Sequence, residues 1–246
     1  MPPPGHRGVL EVMRFRAAFL WTVGLLYFGL GLIAAIVFSL FLPVERYDPW
    51  LKALLRFLFR LMGIPVRVKG AERVLKGRTY LFMANHVSLF DVPLLGGFLP
   101  GIVRGVEATR QSSWPLYGLA MRRMGNIPIN RRNVFEAMKS LKRARSRLGQ
   151  GRSLVILPEG HRTLDGNLRP FKRLPFHLAR EAEVEIMPVG ISGLFTLKPK
   201  HSWLIRPTPL TIAFGPPIAV EEVRRLSARE LRDLTRSRIE RLIERP

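Results

Sequence analysis

The stretch Tyr80-Leu81-Phe82-Met83-Ala84-Asn85-His86-Val87-Ser88-Leu89-Phe90-Asp91 sets how the rest of the chain is read. Tyr80 to Ala84 is short and wholly apolar, the pattern of a buried strand. Val92 to Leu99 reads as the start of a helix. Between them, His86 and Asp91 stand five residues apart at a strand-to-helix turn, where they can fold back into contact. The aspartate then fixes the imidazole tautomer and stabilises the imidazolium. The other ring nitrogen is left free to take a proton from a hydroxyl. A plainer role fits the same residues: Asp91 as a helix cap, His86 as a satisfied core side chain. The spacing alone favours the plainer role, and three stretches downstream change that judgement.

The length of 246 residues is enough for one sizeable core with some chain left over. There is no cysteine, which excludes disulfides, thiolate metal sites and a cysteine nucleophile. The formal charge is +22, from 40 Lys and Arg against 18 Asp and Glu. Such a balance calls for an anionic partner: nucleic acid, an acidic membrane surface or an acidic protein. A hydrophobic fraction of 47% in so basic a chain points to the membrane surface rather than nucleic acid.

Ala17 to Leu42 runs 26 residues without a charge, longer than the roughly 20 that a spanning helix needs. Arg7, Arg14 and Arg16 precede it; Glu45, Arg46 and Asp48 follow. The run is too long for a cleaved signal peptide, and no small-residue cleavage site closes it. Next, Trp50 to Met62 carries Lys52, Arg56 and Arg60 at intervals of four. On a helix they form one cationic stripe on an otherwise apolar cylinder, as for a helix lying in the membrane interface with its bases toward phosphates. Pro43 and Asp48-Pro49 are expected to break the chain between the two helices. The pair reads as a helical hairpin dipping into one leaflet, or as one span followed by a surface helix.

From Gly63 onward the pattern is α/β. Strands are expected over Pro65–Lys69, Thr79–Ala84, Ile102–Val106, Asn126–Ile129, Ser153–Leu157, Val184–Val189 and Pro209–Phe214, with helical patterns between several of them. The fold expected is a mixed, mostly parallel sheet of these seven strands flanked by helices, with residues 63–246 forming the α/β domain and 1–62 a membrane-anchoring hairpin. Val134 to Leu148 is a basic helix without the interleaved aromatics that stack on bases, which argues against nucleic acid. Ser227 to Glu230 is a capping box opening a last helix, with Leu231, Leu234, Ile239 and Leu242 as its inner stripe.

Three stretches join the first. Gly125-Asn126-Ile127-Pro128-Ile129-Asn130-Arg131 brings an arginine to a strand's C-terminal end, where α/β sheets bind ligands and where a planar guanidinium suits phosphate. Leu157-Pro158-Glu159-Gly160-His161-Arg162 sets Glu159 and Arg162 at the same sheet edge, with Gly160 permitting a tight turn and close ligand approach. Glu185-Ile186-Met187-Pro188-Val189-Gly190 bears nothing assigned to chemistry; it fits a pocket wall or a plain core strand equally.

In order and spacing, these four stretches resemble the glycerolipid acyltransferase family, and bacterial 1-acylglycerol-3-phosphate acyltransferases in particular. That family carries Asn-His-x4-Asp, Gly-x-Ile-x-Ile-x-Arg, Pro-Glu-Gly-(Thr/Ser)-Arg and an apolar block ending in Pro. The resemblance covers about Gly63 to Pro217. It implies that His86 is a general base and Asp91 its partner. It also implies that Arg131, Glu159, Gly160 and Arg162 shape a glycerol-phosphate site. The implied reaction moves an acyl group from a thioester, on acyl-carrier protein or coenzyme A, to the sn-2 hydroxyl of lysophosphatidic acid. The substrate supplies the nucleophile, so Ser88 is not expected to be acylated, and neither metal nor cofactor is expected. Three positions depart from the family pattern. His161 replaces Thr or Ser, Leu174 stands where glycine is common, and no lysine occurs around Glu107–Arg110, so that Arg104 or Arg110 is the expected substitute. A different lysolipid acceptor, or a non-catalytic basic binding protein on a membrane anchor, are the competing readings. Because thioester donors are cytosolic, the expected place is the inner membrane, with both hairpin ends and the catalytic domain on the cytoplasmic side.

Overall fold

A computed structural model describes residues 5–130 and 133–244, with side chains from Glu11 on, that of Val134 excepted. Two long helices come first: α1, Gly5–Phe41, and α2, Val44–Leu61. Then follow β1 (Val66–Lys69), β2 (Tyr80–Ala84), α3 (Asp91–Phe98), β3 (Val103–Ala108), the single turn α4 (Thr109–Ser112), α5 (Pro115–Met124) and β4 (Ile127–Ile129). The chain continues through α6 (Val134–Gly149), β5 (Ser153–Ile156), α7 (Leu174–Ala182), β6 (Glu185–Ser192), the turn α8 (Leu194–Leu197), β7 (Leu210–Phe214), α9 (Val220–Arg225) and α10 (Ala228–Leu242).

The seven strands form one sheet in the order β1-β7-β6-β2-β5-β3-β4. All neighbours are parallel except β6 and β7, which run antiparallel with Val189 opposite Phe214. β2 lies at the centre, and all five of its residues are buried, as expected of a parallel strand covered on both faces. Its alternation feeds two cores. Tyr80, Phe82 and Ala84 join Leu58, Phe59, Leu94 and Phe214 on one face. Leu81 and Met83 join Leu154, Phe176, Leu178 and Leu231 on the other. The helices follow local signals. Asn133 caps α6 by accepting from the Glu136 N–H, and Ser227 with Glu230 closes a capping box on α10. Leu231 and Ile239 of its inner stripe are fully buried; Leu234 and Leu242 are partly so.

α2 runs back along α1. Ala35 packs with Tyr47 and Leu51, the Tyr27 hydroxyl donates to Leu54 O, and Gly24 faces Met62. The chain reverses at Leu42–Pro43 alone. Asp48-Pro49, expected to break the chain, lies inside α2, where Asp48 is buried and pairs with Arg104 at 2.9 Å. Proline removes one helical hydrogen bond there, and the ion pair holds the turn that remains. Glu11–Phe41 of α1 is, among the described residues, the one stretch long and apolar enough to cross a membrane. One edge of α1 belongs to the protein core: Leu20 meets Leu58 and Phe59, and Leu32 meets Tyr117 and Ala120 of α5. Val12, Phe15, Phe19, Leu26, Leu30 and Phe41 on its remaining surface are exposed.

The cationic stripe of α2 does not have the role expected from sequence. Lys52 donates to Leu99 O and Gly101 O and pairs with Asp48 at 3.7 Å. Arg56 donates to Gly97 O at 2.7 Å and lies over the Phe98 ring. Both bases therefore satisfy carbonyls at and just beyond the C-terminus of α3, which otherwise lack partners and carry partial negative charge. Arg60 is exposed, and on the same helix so are Trp50 at 70% and Phe57 at 49%.

Candidate active site

β2 ends at Ala84, and the next residue locks the turn that follows. The Asn85 amide bonds Ile191 of β6 twice, donating to its O at 2.9 Å and accepting from its N–H at 2.7 Å. This side chain extends the ladder by one rung. The chain then turns through His86–Phe90 into α3, whose first residue is Asp91. The Asp91 carboxylate is fully buried and reaches back over the turn. Its Oδ2 accepts from Val87 N–H at 2.8 Å and Ser88 N–H at 3.1 Å, and meets His86 Nδ1 at 2.6 Å. An oxygen that already accepts two backbone N–H groups at a helix start acts as an ionised acceptor. Nδ1 thus carries the proton and Nε2 keeps its lone pair. Asp91 Oδ1 is buried with no hydrogen-bond partner among the described residues. The His86 side chain retains 20% exposure, enough to meet a substrate.

The turn after β5 grips His86 from the main chain. Gly160 takes φ 76°, in the left-handed region open to glycine, and its N–H bonds Leu157 O. Glu159, 2% exposed, accepts from His86 N–H at 2.6 Å and from Arg169 N–H at 2.8 Å. Thr163 N–H donates to His86 O at 2.9 Å. Both backbone polar groups of His86 are thereby held by one loop. Burial lifts the Glu159 carboxyl above its usual range, opposed by the two backbone N–H bonds. Glu159 thus meets main chain with both oxygens, and acts on His86 rather than facing open space. Arg162, two residues past the glycine, is partly exposed at the same edge. Arg131 lies outside the described residues. The strand leading to it, β4, is three places from β2 in the sheet, roughly 14 Å at the usual strand spacing.

With this geometry in view, the comparison with known proteins is direct. Residues 65–192 match the family model described as Acyltransferase, just over half of the chain. The chain belongs to the acyltransferase family. A 1-acyl-sn-glycerol-3-phosphate acyltransferase of Limnanthes alba is 30% identical over 205 residues, covering 79% of this chain and 72% of the relative. A lyso-ornithine lipid O-acyltransferase of Pseudomonas aeruginosa is 35% identical over 175 residues, 69% of this chain and 65% of the relative. In fold, the acyltransferase resembles the crystal structure of the 1-acyl-sn-glycerophosphate (LPA) acyltransferase PlsC from Thermotoga maritima. The TM-score is 0.75 at 24% identity, over 94% of this chain and 93% of that one.

Within the acyltransferase, two of the three departures from the family pattern have structural addresses. Arg104, one expected substitute for the missing lysine, is buried and paired with Asp48. Arg110, the other, is exposed on α4. Leu174 opens α7 and packs on the second core. Ser88 is 1% exposed and donates its hydroxyl to Lys198 O at 2.9 Å, so it is committed to structure.

That bond brings in a residue that sequence reasoning missed. Lys198 follows α8 and is 7% exposed. Its ammonium lies 5.8 Å from the centroid of the Trp21 ring and donates weakly to Pro199 O at 3.3 Å. Burial, and the nearby Arg162 guanidinium, hold its pKa below the ordinary lysine value. The only sequence signal is a lysine directly after the apolar run that continues the fourth motif. Trp21 is also tied to the domain: its Nε1 donates to Trp203 O at 2.6 Å, and its ring lies 6.1 Å from Phe90. Beside it, α1, α2, residues 89–93 and α5 enclose an apolar cavity of about 390 Å³, lined by Leu20, Trp21, Phe28, Phe90, Trp114 and Leu116 among others.

Proposed function

We propose that the protein transfers a fatty acyl group from a thioester donor, acyl-carrier protein or coenzyme A, to the sn-2 hydroxyl of lysophosphatidic acid. The observation that carries the reading is the His86 Nδ1–Asp91 Oδ2 contact, made to a carboxylate that has no water-facing surface. His86 Nε2 takes the hydroxyl proton as the oxygen attacks the thioester carbonyl. The tetrahedral intermediate collapses, the C–S bond breaks, and the leaving thiolate takes the proton back from the imidazolium. Asp91 stabilises that imidazolium, as in the Ser-His-Asp arrangement, with the acceptor hydroxyl in the place of serine. Arg162 and Arg131 are assigned to the acceptor phosphate, Gly160 to close approach of the headgroup, and Glu159 to holding the His86 backbone. The apolar cavity beside Phe90 suits an acyl chain.

For the membrane, the antiparallel packing of α1 and α2 supports a hairpin immersed from the cytoplasmic side of the inner membrane, in preference to a lone span. The domain packs alongside α1 from Leu20 to Leu32, so a single span would draw the domain into the bilayer. A second acceptor class stands beside this one, because a lyso-ornithine lipid O-acyltransferase is among the relatives, 35% identical over 69% of this chain.

The deciding assay offers purified protein lysophosphatidic acid, or a lyso-ornithine lipid, with each acyl donor, and weighs the product. Phosphatidic acid is expected; exclusive acylation of the aminolipid reassigns the acceptor. Cysteines introduced singly at Gly5 and Lys200 are expected to stay protected from an impermeant maleimide in intact cells. Labelling at Lys200 overturns the cytoplasmic placement, and labelling at Gly5 alone means a true span.

A further inference from the structure

We propose that Lys198 is a specificity residue of the acceptor site, pairing with Arg162 to hold the anionic headgroup under the Trp21 ring. The inference rests on the acceptor reading above, and concerns a residue outside all four motif stretches. A lysine is costly to bury, and a buried ammonium normally meets a carboxylate. Lys198 is more than nine-tenths buried, yet no carboxylate pairs with it among the described residues. Its contacts are one long bond to a carbonyl and one aromatic face. The charge that acts on it is another cation, Arg162. A buried ammonium without a carboxylate, under the repulsion of a second cation, leaves a site that an anion completes.

Position argues the same way. Lys198 O accepts the Ser88 hydroxyl, so its backbone is pinned to the turn that presents His86. Arg162 leads directly into Thr163, whose N–H holds His86 O. The cation pair therefore stands on the two segments that fix the base. Trp21 comes from α1 and reaches this point between Lys198 and Phe90. A lysolipid whose tail lies along α1 meets the ammonium at the level where its headgroup begins.

The test uses full-length protein and lysophosphatidic acid below its micellar concentration, read by tryptophan fluorescence in the His86→Ala background and by steady-state kinetics with His86 intact. Lys198→Met is expected to weaken binding about 10–100-fold, the loss of one charge-assisted bond, and to raise the acceptor KM alike. Lys198→Arg is expected to restore most of the binding. The preference for lysophosphatidic acid over a neutral monoacylglycerol should fall in parallel, with the donor KM unmoved. Should Lys198→Met fail to fold, Lys198→Gln is read in its place. Unchanged binding in a folded variant overturns the proposal. So does equal loss on both acceptors, which marks a structural role, or a rise in the donor KM, which assigns the anion to coenzyme A. Lys198-dependent binding without turnover in the His86-intact protein would instead overturn the proposed reaction and leave the anion site standing.

Discussion

The turn after β2 and the helix α2 each present charged side chains at regular spacing, and their fates differ. His86 and Asp91 meet within one loop, five residues apart. Lys52 and Arg56 find their hydrogen-bond partners 41 to 49 residues away, on the carbonyls of α3 and the residues after it, and the local pair of Lys52 with Asp48 is longer, at 3.7 Å. In the first case every group needed for the contact lies inside the stretch. In the second the stripe looks complete by itself, and only tertiary packing shows that its charge is already engaged. Spacing predicts an interaction well when the partner is local, and poorly when an orphaned helix end elsewhere competes for the same cation.

The largest expected effect tests the local contact. His86→Ala and Asp91→Ala should each lower kcat about 10²–10⁴-fold with the fold retained, checked by circular dichroism beside the assay. Near-wild-type turnover in His86→Ala would end the assignment of a general base.

Next in size is the support behind it. Glu159→Gln puts an amide N–H against that of Arg169 and should cost about 1–3 kcal/mol of stability. The pH dependence has a defined sign. Burial raises the folded-state pKa of Glu159, so its proton-linked stability is full below the unfolded value and falls as pH climbs through the raised one. The deficit of the glutamine variant should therefore shrink as melts move from pH 4 toward neutrality. A deficit independent of pH would show that Glu159 keeps its ordinary titration.

The α2 stripe supplies a paired test. Lys52→Met should cost about 1–3 kcal/mol, because Leu99 O and Gly101 O lose their donor. Arg60→Ala should stay within about 0.5 kcal/mol, as for an exposed surface site, and should instead weaken binding to anionic vesicles. Equal behaviour of the two variants would restore the sequence view of one uniform cationic face. Ser88→Ala removes a single hydrogen bond to Lys198 O, costs about 1 kcal/mol and leaves turnover in place. An acyl group trapped on Ser88 would point to a two-step route.

Much of the fold was legible because its strands are apolar runs bounded by turn residues. All seven were anticipated, with ends shifted by one to three residues, and β6 runs on to Ser192. The antiparallel pairing of β7 with β6 was not, since strand direction leaves no mark in composition. The contact between His86 and Asp91 was legible from one turn. Lys198 was not, because its meaning depends on Trp21, Ser88 and Arg162, which lie 177, 110 and 36 residues before it. Pro49 misled for a related reason: an ion pair from β3 keeps the helix going where the local rule ends it.

The docking of α1 has a consequence for handling and evolution alike. Because Leu20 and Leu32 on one edge complete the protein core while Phe15, Leu26 and Leu30 on the other remain uncovered, this helix is a shared wall between two solvents. Trimming it to obtain a soluble fragment would uncover Leu58, Phe59 and Tyr117 and remove the aromatic ring above Lys198. The amphiphile chosen for purification therefore acts on the folding equilibrium itself, and a change of lipid is, for this chain, a change of the medium on the far side of the helix that carries Leu20 and Leu32 into the core.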